Sequence, residues 1–264
     1  MEAALAEVEF LARSENRVRA LHLLAEGAHT RGELGTTIGA SQATLGRILE
    51  DFSERSWIRR AEEGYVATAT GRFVADAVTE LLETVATERK LREVVAYLPT
   101  ATMSFELDRL ADATITTPSP TRPSAPLERV LDQMATAPEL RAVSHAFNER
   151  SLAAVAEAVE AGTQTFQGVF ETGTIEALAA DERSWALLTD LAANEAAELR
   201  VYDGDVPMAA TVGDGRTALL LRDEDGIVRA AVESTDATVR EWAVGVFEQY
   251  RSRAMPFDPA EYQT

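Results

Sequence analysis

Residues 38–52, IGASQATLGRILEDF, decide the fold of the N-terminal part of this 264-residue chain. Ser41 is a residue that caps helices, and the apolar residues after it recur at positions i, i+3, i+4 and i+7, which predicts an amphipathic helix. Gly39 separates this helix from an earlier one, and two short helices joined by a glycine-containing turn are the pattern of a helix-turn-helix. The apolar positions of the second helix are Leu45, Ile48, Leu49 and Phe52.

Start signals also mark the helices upstream of this stretch. Thr30 and Glu33 have the spacing of a capping box at the start of the first helix of the pair. Before it, Ser14 and Gly27 are suited to begin and end another helix with one apolar face. The sequence therefore predicts three helices in succession.

The exposed face of the helix after Ser41 changes character along its length. Its later turns carry acidic residues that phosphates would repel, so only its N-terminal end is suited to enter a DNA groove. Glutamine can pair with adenine, arginine with guanine, and a threonine methyl group can contact thymine. Backbone N–H groups at helix starts can bind phosphate. On this basis the predicted DNA contacts of the two helices are Thr30, Arg31, Ser41, Gln42, Ala43, Thr44 and Arg47.

The segment WIRRAEEGYVATAT, residues 57–70, predicts a β-hairpin. Arg59 and Arg60 lie on its first strand and are suited to contact the DNA backbone. The alternative is that these arginines pair with Glu62 and Glu63 at the tip of the same hairpin.

The stretch SQATLGRILEDFSERSWIRRAEEGYVATATGRFVAD resembles the winged helix-turn-helix domain of archaeal and bacterial transcriptional regulators, and the resemblance covers residues 14–75. It extends from the recognition helix through the wing to the next helix, which starts at Thr70 and Gly71. The resemblance implies a winged-helix fold that binds double-stranded DNA. Winged helices also serve as protein-interaction modules, and the acidic wing tip of this chain argues against deep insertion into the minor groove.

From about Gly71 to Leu98 an apolar stripe predicts one long helix. A helix placed directly after a wing often pairs with its copy in a dimer, and paired half-sites on DNA need two-fold symmetry. The alternative is that this helix packs only on its own C-terminal domain. The predicted segments are a DNA-binding domain (1–70), a connecting helix (71–98) and a sensor domain (99–264). The residues assigned to a homodimer face are Val74, Val78, Leu81, Leu82 and Val85.

The remaining sequence alternates between patterns typical of strands and of helices, which predicts an α/β domain with a mixed sheet. The proline-rich stretch TTPSPTRPSAP, residues 116–126, is predicted to be a loop inside this domain. Predicted strands cover residues 113–117, 140–144, 165–170, 199–202, 208–212, 217–222 and 227–232. Predicted helices cover residues 149–161, 172–180, 182–199 and 236–253.

The stretch VYDGDVPMAATVGDGRTALLLRDEDGIVRAAVESTDATVREWAVGVFEQYRSRA resembles the C-terminal sensor domain of methanogenesis-regulator-type archaeal proteins and, more distantly, the sugar-sensing TrmB regulators. The resemblance implies a phospholipase-D-like fold without the catalytic motif, and a role in sensing a ligand. The motif needs a lysine two residues after its histidine, whereas His145 is followed by AFNERSL. We therefore expect no enzymatic activity, and we expect neither a metal nor a cofactor.

Ligands of open α/β sheets bind at the carboxyl ends of the strands. This rule places a candidate pocket for a small-molecule effector at the ends of the predicted parallel strands. The alternative roles for these residues are helix caps and surface ion pairs. The candidate pocket residues are Ser144, His145, Glu171, Thr172 and Tyr202, with Arg150 nearby as a candidate partner for an anion.

The formal charge of the chain is strongly negative and unevenly distributed. Its net charge is −19, from 44 acidic and 25 basic residues, and Lys90 is the one lysine in the sequence. Residues 1–60 hold nine acids and eight arginines, so the predicted DNA-binding region is nearly neutral. This acidic, lysine-poor composition resembles the proteins of salt-accumulating halophiles, where molar salt shortens the screening length to roughly 3 Å. The alternative is an acidic mesophilic protein.

Several other classes of protein are disfavoured by the sequence. The chain has no cysteine, which excludes disulfides and thiol catalysis, and no apolar run reaches the roughly 18 residues of a membrane helix. The N-terminus has no signal-peptide pattern. We therefore predict a cytoplasmic, homodimeric and effector-responsive regulator that binds double-stranded DNA and no membrane. The main alternative is a winged-helix module that binds another protein.

Overall fold

The computed structural model describes residues 1–145, 147–206 and 208–262. These residues form two compact units that divide between residues 86 and 87. The three segments predicted above, 1–70, 71–98 and 99–264, are a functional division and stay a prediction.

The first unit is a set of helices around one apolar core, followed by a two-stranded hairpin. The core contains the apolar faces that the sequence predicts, and Leu21, Leu34, Leu45 and Phe52 are fully buried in it. The elements are α1 (Glu2–Ala12), α2 (Glu15–Glu26), α3 (Arg31–Ile38), α4 (Gln42–Glu54), β1 (Ile58–Ala61), β2 (Gly64–Ala67) and the first part of α5 (Ala69–Leu91).

Helix α1 has no counterpart in the sequence-based prediction, because its alanine-rich sequence lacks a strong apolar stripe. It is attached through Phe10, whose ring centre lies 6.3 Å from that of Phe52 and 6.1 Å from that of Trp57. The guanidinium groups of Arg17 and Arg55 lie 3.9 Å and 3.8 Å from the same ring centre. Phe10 therefore combines aromatic and cation–π contacts in one place.

Helices α3 and α4 begin where their capping residues predict. Thr30 and Glu33 form both hydrogen bonds of a capping box: the Glu33 N–H donates to Thr30 Oγ1 (3.2 Å), and the Thr30 N–H donates to Glu33 Oε2 (2.8 Å). Ser41 Oγ accepts from the Thr44 N–H at 3.1 Å. Gly39 between the two helices has φ 69°, a left-handed conformation in which glycine is the least strained residue. The predicted starts of these two helices, and the predicted end of the first one at Gly39, are confirmed.

The hairpin β1–β2 is antiparallel, with Ile58 opposite Ala67 and Ala61 opposite Gly64. His29 adds a bridge to it, since the backbones of His29 and Tyr65 exchange two hydrogen bonds of 2.9 Å. Gly64 has φ 125°, and a Cβ there would lie 2.2 Å from the His29 carbonyl oxygen. The close approach of these two backbones thus requires a glycine.

Helix α5 starts next to the hairpin and ends earlier than predicted. Its start is capped by Thr68, whose Oγ1 accepts from the Gly71 N–H at 3.1 Å. The predicted extension to Leu98 is wrong, because α5 ends at Leu91 and is followed by a 3₁₀ turn, Val95–Tyr97. The Val94 N–H bonds to the carbonyl three residues back, at Leu91, and this tighter turn ends the helix. None of the described helices is both long and apolar enough to cross a membrane.

The second unit is built on a mixed sheet, as predicted, but the sheet has eight strands, because Met255–Pro256 adds a strand to the seven that the sequence predicts. The strand order is β10-β6-β5-β4-β7-β8-β9-β3. Strands β4, β5 and β6 are parallel to one another, and the other neighbouring strands are antiparallel. The elements are β3 (Thr114–Thr116), α6 (Ala125–Thr136), β4 (Glu139–Ser144), α7 (Glu149–Glu160), β5 (Thr165–Glu171), α8 (Thr172–Ala179), α9 (Glu182–Ala192), β6 (Ala197–Tyr202), β7 (Ala209–Gly213), β8 (Arg216–Arg222), β9 (Val228–Ser234), α10 (Ala237–Arg251) and β10 (Met255–Pro256).

Helices cover both faces of this sheet. One face packs on α10 through Val239 and Phe247, together with the segment that follows α5. The opposite face packs on α6, α7, α8 and α9, with Phe166 and Phe170 at its centre. The domain is therefore three-layered, and the ends of its strands lie between the helix layers.

Two predictions in this unit need correction. The helix predicted over residues 182–199 ends at Ala192, because Asn194 Oδ1 accepts from the Ala196 N–H at 2.9 Å in a turn that leads into β6. The proline-rich segment was predicted to be a loop up to residue 126, but α6 begins at Ala125 with Pro126 in its first turn, where a missing N–H costs nothing.

Candidate nucleic-acid interface and sensor cleft

Helix α4 presents its polar face to solvent at its N-terminal end. Gln42, Ala43, Thr44 and Arg47 are exposed, whereas the apolar positions between them are buried in the core. This separation follows from the 3.6-residue period of the helix. The side chains predicted to face a groove are therefore accessible from one direction.

Arg31, the first residue of α3, lies against the first turns of α4. Its Nη2 atom donates to the carbonyl oxygen of Gln42. Gly46 makes room for this contact, since a Cβ at that position would lie 2.7 Å from Arg31 Nη2. At the same helix start, hydrogen bonds from Thr30 lower the pKa of the Glu33 carboxyl, so a negative charge is held beside Thr30.

The hairpin arginines project from β1 into solvent. Arg59 and Arg60 are exposed, and in the part of the chain that the structure describes no carboxylate lies within 4.0 Å of either one. The guanidinium of Arg60 lies 5.2 Å from the ring centre of Tyr65, which orients it along the hairpin. The alternative pairing with the acidic hairpin tip does not occur in this arrangement.

The eight arginines of residues 1–60 fall into two equal groups. Four of them have a carboxylate within 4.0 Å: Arg13 with Glu9, Arg17 with Asp51, Arg19 with Glu15 and Arg55 with Glu7. The other four have no carboxylate partner among the described residues, and they are Arg31, Arg47, Arg59 and Arg60. The unpaired group is the same as the set of arginines predicted to contact DNA.

The second unit brings most of the predicted pocket residues to one edge of its sheet. Ser144, at the end of β4, lies opposite Phe170, and Glu171, at the end of β5, lies opposite Tyr202. Thr172 Oγ1 donates to the Tyr202 carbonyl oxygen at 3.4 Å. Arg150 is exposed in the first turn of α7.

Arg222 also lies at this edge, although the sequence-based prediction did not include it. Strand β8 runs antiparallel to β7, and β7 runs antiparallel to β4, so β8 ends on the same side as β4. The sequence TALLLR contained a signal for this position, because an arginine follows directly after five buried residues of a strand. We call the site formed at this edge the carboxyl-edge cleft; it consists of Ser144, His145, Glu171, Thr172, Tyr202 and Arg222.

Two nitrogen atoms in the carboxyl-edge cleft are buried and lack a partner. Among the described residues, neither His145 Nδ1 nor Arg222 Nε has a hydrogen bond. Burial lowers the pKa of His145, and the charge of Arg222 lowers it further, whereas the Met208 carbonyl and Glu171 act in the opposite direction. Burial also lowers the pKa of Arg222, which nonetheless stays charged because a guanidinium does not deprotonate in proteins.

A small cavity lies beside Arg222 and Ser144. Its volume is about 20 Å³, enough for one water molecule or a group of similar size. Its polar lining consists of Ser144, Asn148, Ser151, Thr211 and Arg222, and the rest is apolar. The cavity therefore has a cationic side and an apolar side.

Comparison with known proteins identifies two family matches along the chain. Residues 5–90 match the family described as HVO_A0261 N-terminal domain. Residues 123–253 match the middle domain of the methanogenesis regulatory protein FilR1. The comparison with curated proteins found no match.

Solved structures that align with this chain include those of an archaeal protein and of two bacterial proteins. TrmBL2, an archaeal chromatin protein with a novel mode of DNA binding, is 15% identical over 90% of this chain and 92% of its own, with a TM-score of 0.44. Nuc, a phospholipase D family member from Salmonella typhimurium, is 14% identical over 55% of this chain and 98% of its own, with a TM-score of 0.43. NucT from Helicobacter pylori is 12% identical over the same shares, with a TM-score of 0.44.

The two family matches follow one another along the chain in the order that the sequence predicts. The first covers the helices and hairpin of the N-terminal unit, and the second covers α6 to α10 of the mixed-sheet unit. The N-terminal part of the chain therefore matches the HVO_A0261 N-terminal domain family, and its mixed-sheet unit matches the family of the FilR1 middle domain.

Proposed function

We propose that this chain is a sequence-specific, DNA-binding transcriptional regulator that reads the major groove with the N-terminal end of α4. One observation carries the proposal: in a region with nine acids, the four arginines without a carboxylate partner are the ones on the predicted DNA-binding surface. An arginine without a carboxylate partner in an acidic protein keeps most of its five N–H donors available for an external anion. Phosphate and the guanine edge are the anionic and acceptor groups that arginine binds bidentately.

The proposed arrangement assigns a separate role to each part of the surface. Gln42, Thr44 and Arg47 contact base edges, and Arg59 and Arg60 contact the phosphates that flank the groove. Thr30 is assigned a structural role, in which its capping box fixes the start of α3. The Glu33 carboxylate beside it disfavours a phosphate at that helix start. Arg31 supports α4 from the side and lies close enough to its first turn to contact the DNA backbone.

The regulator is proposed to act as a homodimer through α5. Leu81, Leu82 and Val85 are 48%, 50% and 44% exposed, which is unusual for large aliphatic side chains on a chain this polar. Val74 and Val78, earlier on the same helix, are half-buried against the core of their own unit. A second copy of α5 is the proposed occupant of the exposed stripe, because a dimer supplies the two-fold symmetry of paired DNA half-sites.

The second unit is proposed to sense a small-molecule effector by binding and not by catalysis. Its carboxyl-edge cleft holds one histidine, and the sequence around it lacks the lysine of the phospholipase D motif. The groups that remain there are suited to bind and orient a ligand. Such a regulator would act in the cytoplasm, where it meets both DNA and metabolites.

The test is capture of fragmented genomic DNA by the purified full chain in concentrated potassium chloride, followed by sequencing of the retained fragments. A recurrent, roughly palindromic motif is expected. Retention without a motif, or no retention, would contradict sequence-specific binding and would favour the alternative of a winged-helix module that binds another protein.

A further inference from the structure

We propose that the carboxyl-edge cleft binds the carboxylate or phosphate group of a small metabolite, with Arg222 and His145 as the donors that hold it. The proposal rests on the sensing role proposed above and adds the chemical class of the ligand. It also makes Arg222 a binding residue that neither the sequence patterns nor the family matches indicate.

The first argument is the state of Arg222. The chain carries 44 acidic residues, yet within the described residues no carboxylate lies within 4.0 Å of this half-buried guanidinium. The arginine at the other end of the same strand, Arg216, does have an acidic partner, Asp214, at 4.0 Å. Leaving a desolvated cation without a counter-charge is costly. An anion from outside the chain would supply that counter-charge.

The second argument is the environment of His145. Among the described residues, its buried Nδ1 has no hydrogen-bond partner, and the charges that act on the ring come from Arg222 on β8 and Glu171 on β5. Glu171 is itself engaged, since its Oε2 accepts from the Val206 N–H at 3.5 Å. The His145 ring bonds to the Met208 carbonyl, and its Nδ1 is left without a partner, as is Arg222 Nε. An anion would provide an acceptor for Arg222 Nε and, once the ring is protonated, for His145 Nδ1.

The third argument is the size and lining of the adjacent cavity. Its volume of about 20 Å³ holds one water-sized group in the described arrangement, so one oxygen atom of a carboxylate or phosphate would enter it. The hydroxyl groups of Ser144 and Ser151 and the amide of Asn148 line it beside Arg222. A carboxylate or phosphate group can accept hydrogen bonds from hydroxyl and amide donors as well as from a guanidinium.

The experiment measures thermal unfolding of the full chain at neutral pH in a fixed background of potassium chloride. The probes are acetate, inorganic phosphate and acetamide, the last being a neutral molecule of the same shape as acetate. Added potassium chloride at equal ionic strength serves as the control for screening. Acetate and phosphate are the two ligand sources to distinguish, and the one that shifts the unfolding temperature saturably identifies the ligand group.

Arg222→Gln is the test variant, and Arg216→Gln is its matched control because it removes the same charge from the other end of β8. We expect Arg222→Gln to weaken the affinity for the anion about ten- to hundredfold, because hydrogen bonds from a charged group are lost. Arg216→Gln should leave the affinity for the anion unchanged. Without anion, Arg222→Gln should unfold at a higher temperature, since it removes an uncompensated charge.

A second readout does not depend on the folding of a variant. The chain has three histidines, so a ¹³C-edited NMR spectrum resolves few imidazole signals. The bound anion should raise the pKa of His145, whereas the imidazole signals of His22 and His29 at a fixed pH should not move. Equal responses of the unmodified chain and both variants to every salt, or an unchanged His145 titration, would overturn the proposal. Neither readout contains DNA, so this failure is distinct from failure to bind an operator.

Discussion

Gly71, in the first turn of α5, lies so close to the backbone at Trp57 that a larger residue does not fit. A Cβ there would lie 1.9 Å from the Trp57 carbonyl oxygen, and the backbone at Trp57 is also hydrogen-bonded to Thr68. We predict that Gly71→Ala lowers the free energy of unfolding by about 1–3 kcal/mol, because the backbone must shift to admit the methyl group. Urea unfolding in concentrated salt measures this. Gly27→Ala is the control, since nothing lies within 4 Å of a Cβ at that position, and equal midpoints for the two variants would contradict the prediction.

Arg47 is the residue at which base reading is most directly testable. We predict that Arg47→Ala costs about 1–3 kcal/mol on the operator and relaxes specificity at one base pair, whereas Arg59→Ala weakens binding to all sequences alike. Fluorescence anisotropy on operator and random duplexes at several salt concentrations separates the two effects. Arg13→Ala, which removes an arginine already paired with Glu9, should leave both affinities unchanged. An equal loss on both duplexes for Arg47→Ala would assign that residue to phosphate contact.

His145 gives the stability of the second unit a dependence on pH. In the folded chain the pKa of His145 is lowered, by burial first and then by the charge of Arg222. The imidazole of His145 therefore takes up a proton near pH 6.5 in the unfolded chain but stays neutral at that pH in the folded chain. Stability is therefore complete above about pH 6.5 and decreases as the pH falls through the interval between the two pKa values. His145→Gln should remove this decrease, as measured by thermal unfolding between pH 7 and pH 5. A decrease that persists in the variant would assign the effect to other groups.

At the scale of elements, the exposed stripe of α5 carries the prediction about assembly. Leu81→Gln combined with Leu82→Gln should convert a dimer into a monomer, because both side chains are about half exposed and contribute little to their own unit. Sedimentation equilibrium measures the change, and circular dichroism checks that the helix is retained. Glu80→Gln together with Glu83→Gln is the control on the same exposed turns. A dimer that survives the leucine substitutions would place the interface elsewhere.

The elements that were predictable are those whose signals are local. The capping residues of α3 and α4 fixed two helix starts because each cap acts within four residues, and the short apolar runs that form strands of the second unit were visible in the same way. The ends of α5 and α9 were not predictable, because apolar residues beyond them continue into the core of the second unit as turn and strand. Helix α1 depends on Phe10 packing between distant residues, which a local pattern does not contain.

The candidate sites show the same limit. The exposed residues of α4 were predicted because one helix holds them together. The role proposed for Arg222 was not predicted, since only the pairing of β8 with β7 and of β7 with β4 brings its strand end to the same edge as Ser144. Ser144 and Tyr202, by contrast, follow from the rule that parallel strands share a carboxyl edge.

At the scale of the whole molecule, the net charge of −19 predicts how stability responds to salt. Repulsion among the acidic side chains destabilises the folded chain, and salt screens it over a distance that falls to roughly 3 Å at 1 M. The unfolding temperature should therefore rise as potassium chloride increases from low to molar concentration. Sucrose, which adds no ions, is the control for general exclusion from the surface. An unfolding temperature that does not depend on salt would contradict the prediction.

The order of the sheet has a consequence for the behaviour of the chain at high concentration. Its two outermost strands are the shortest ones: β3 has three residues and precedes the proline-rich stretch, and β10 has two, one of which is Pro256. Short strands and prolines at the borders of a sheet leave few backbone groups with which a neighbouring molecule could pair. Pairing of this sheet with a strand of a neighbouring molecule is thus disfavoured at both borders, so at high concentration we expect contacts between side chains to dominate its self-association.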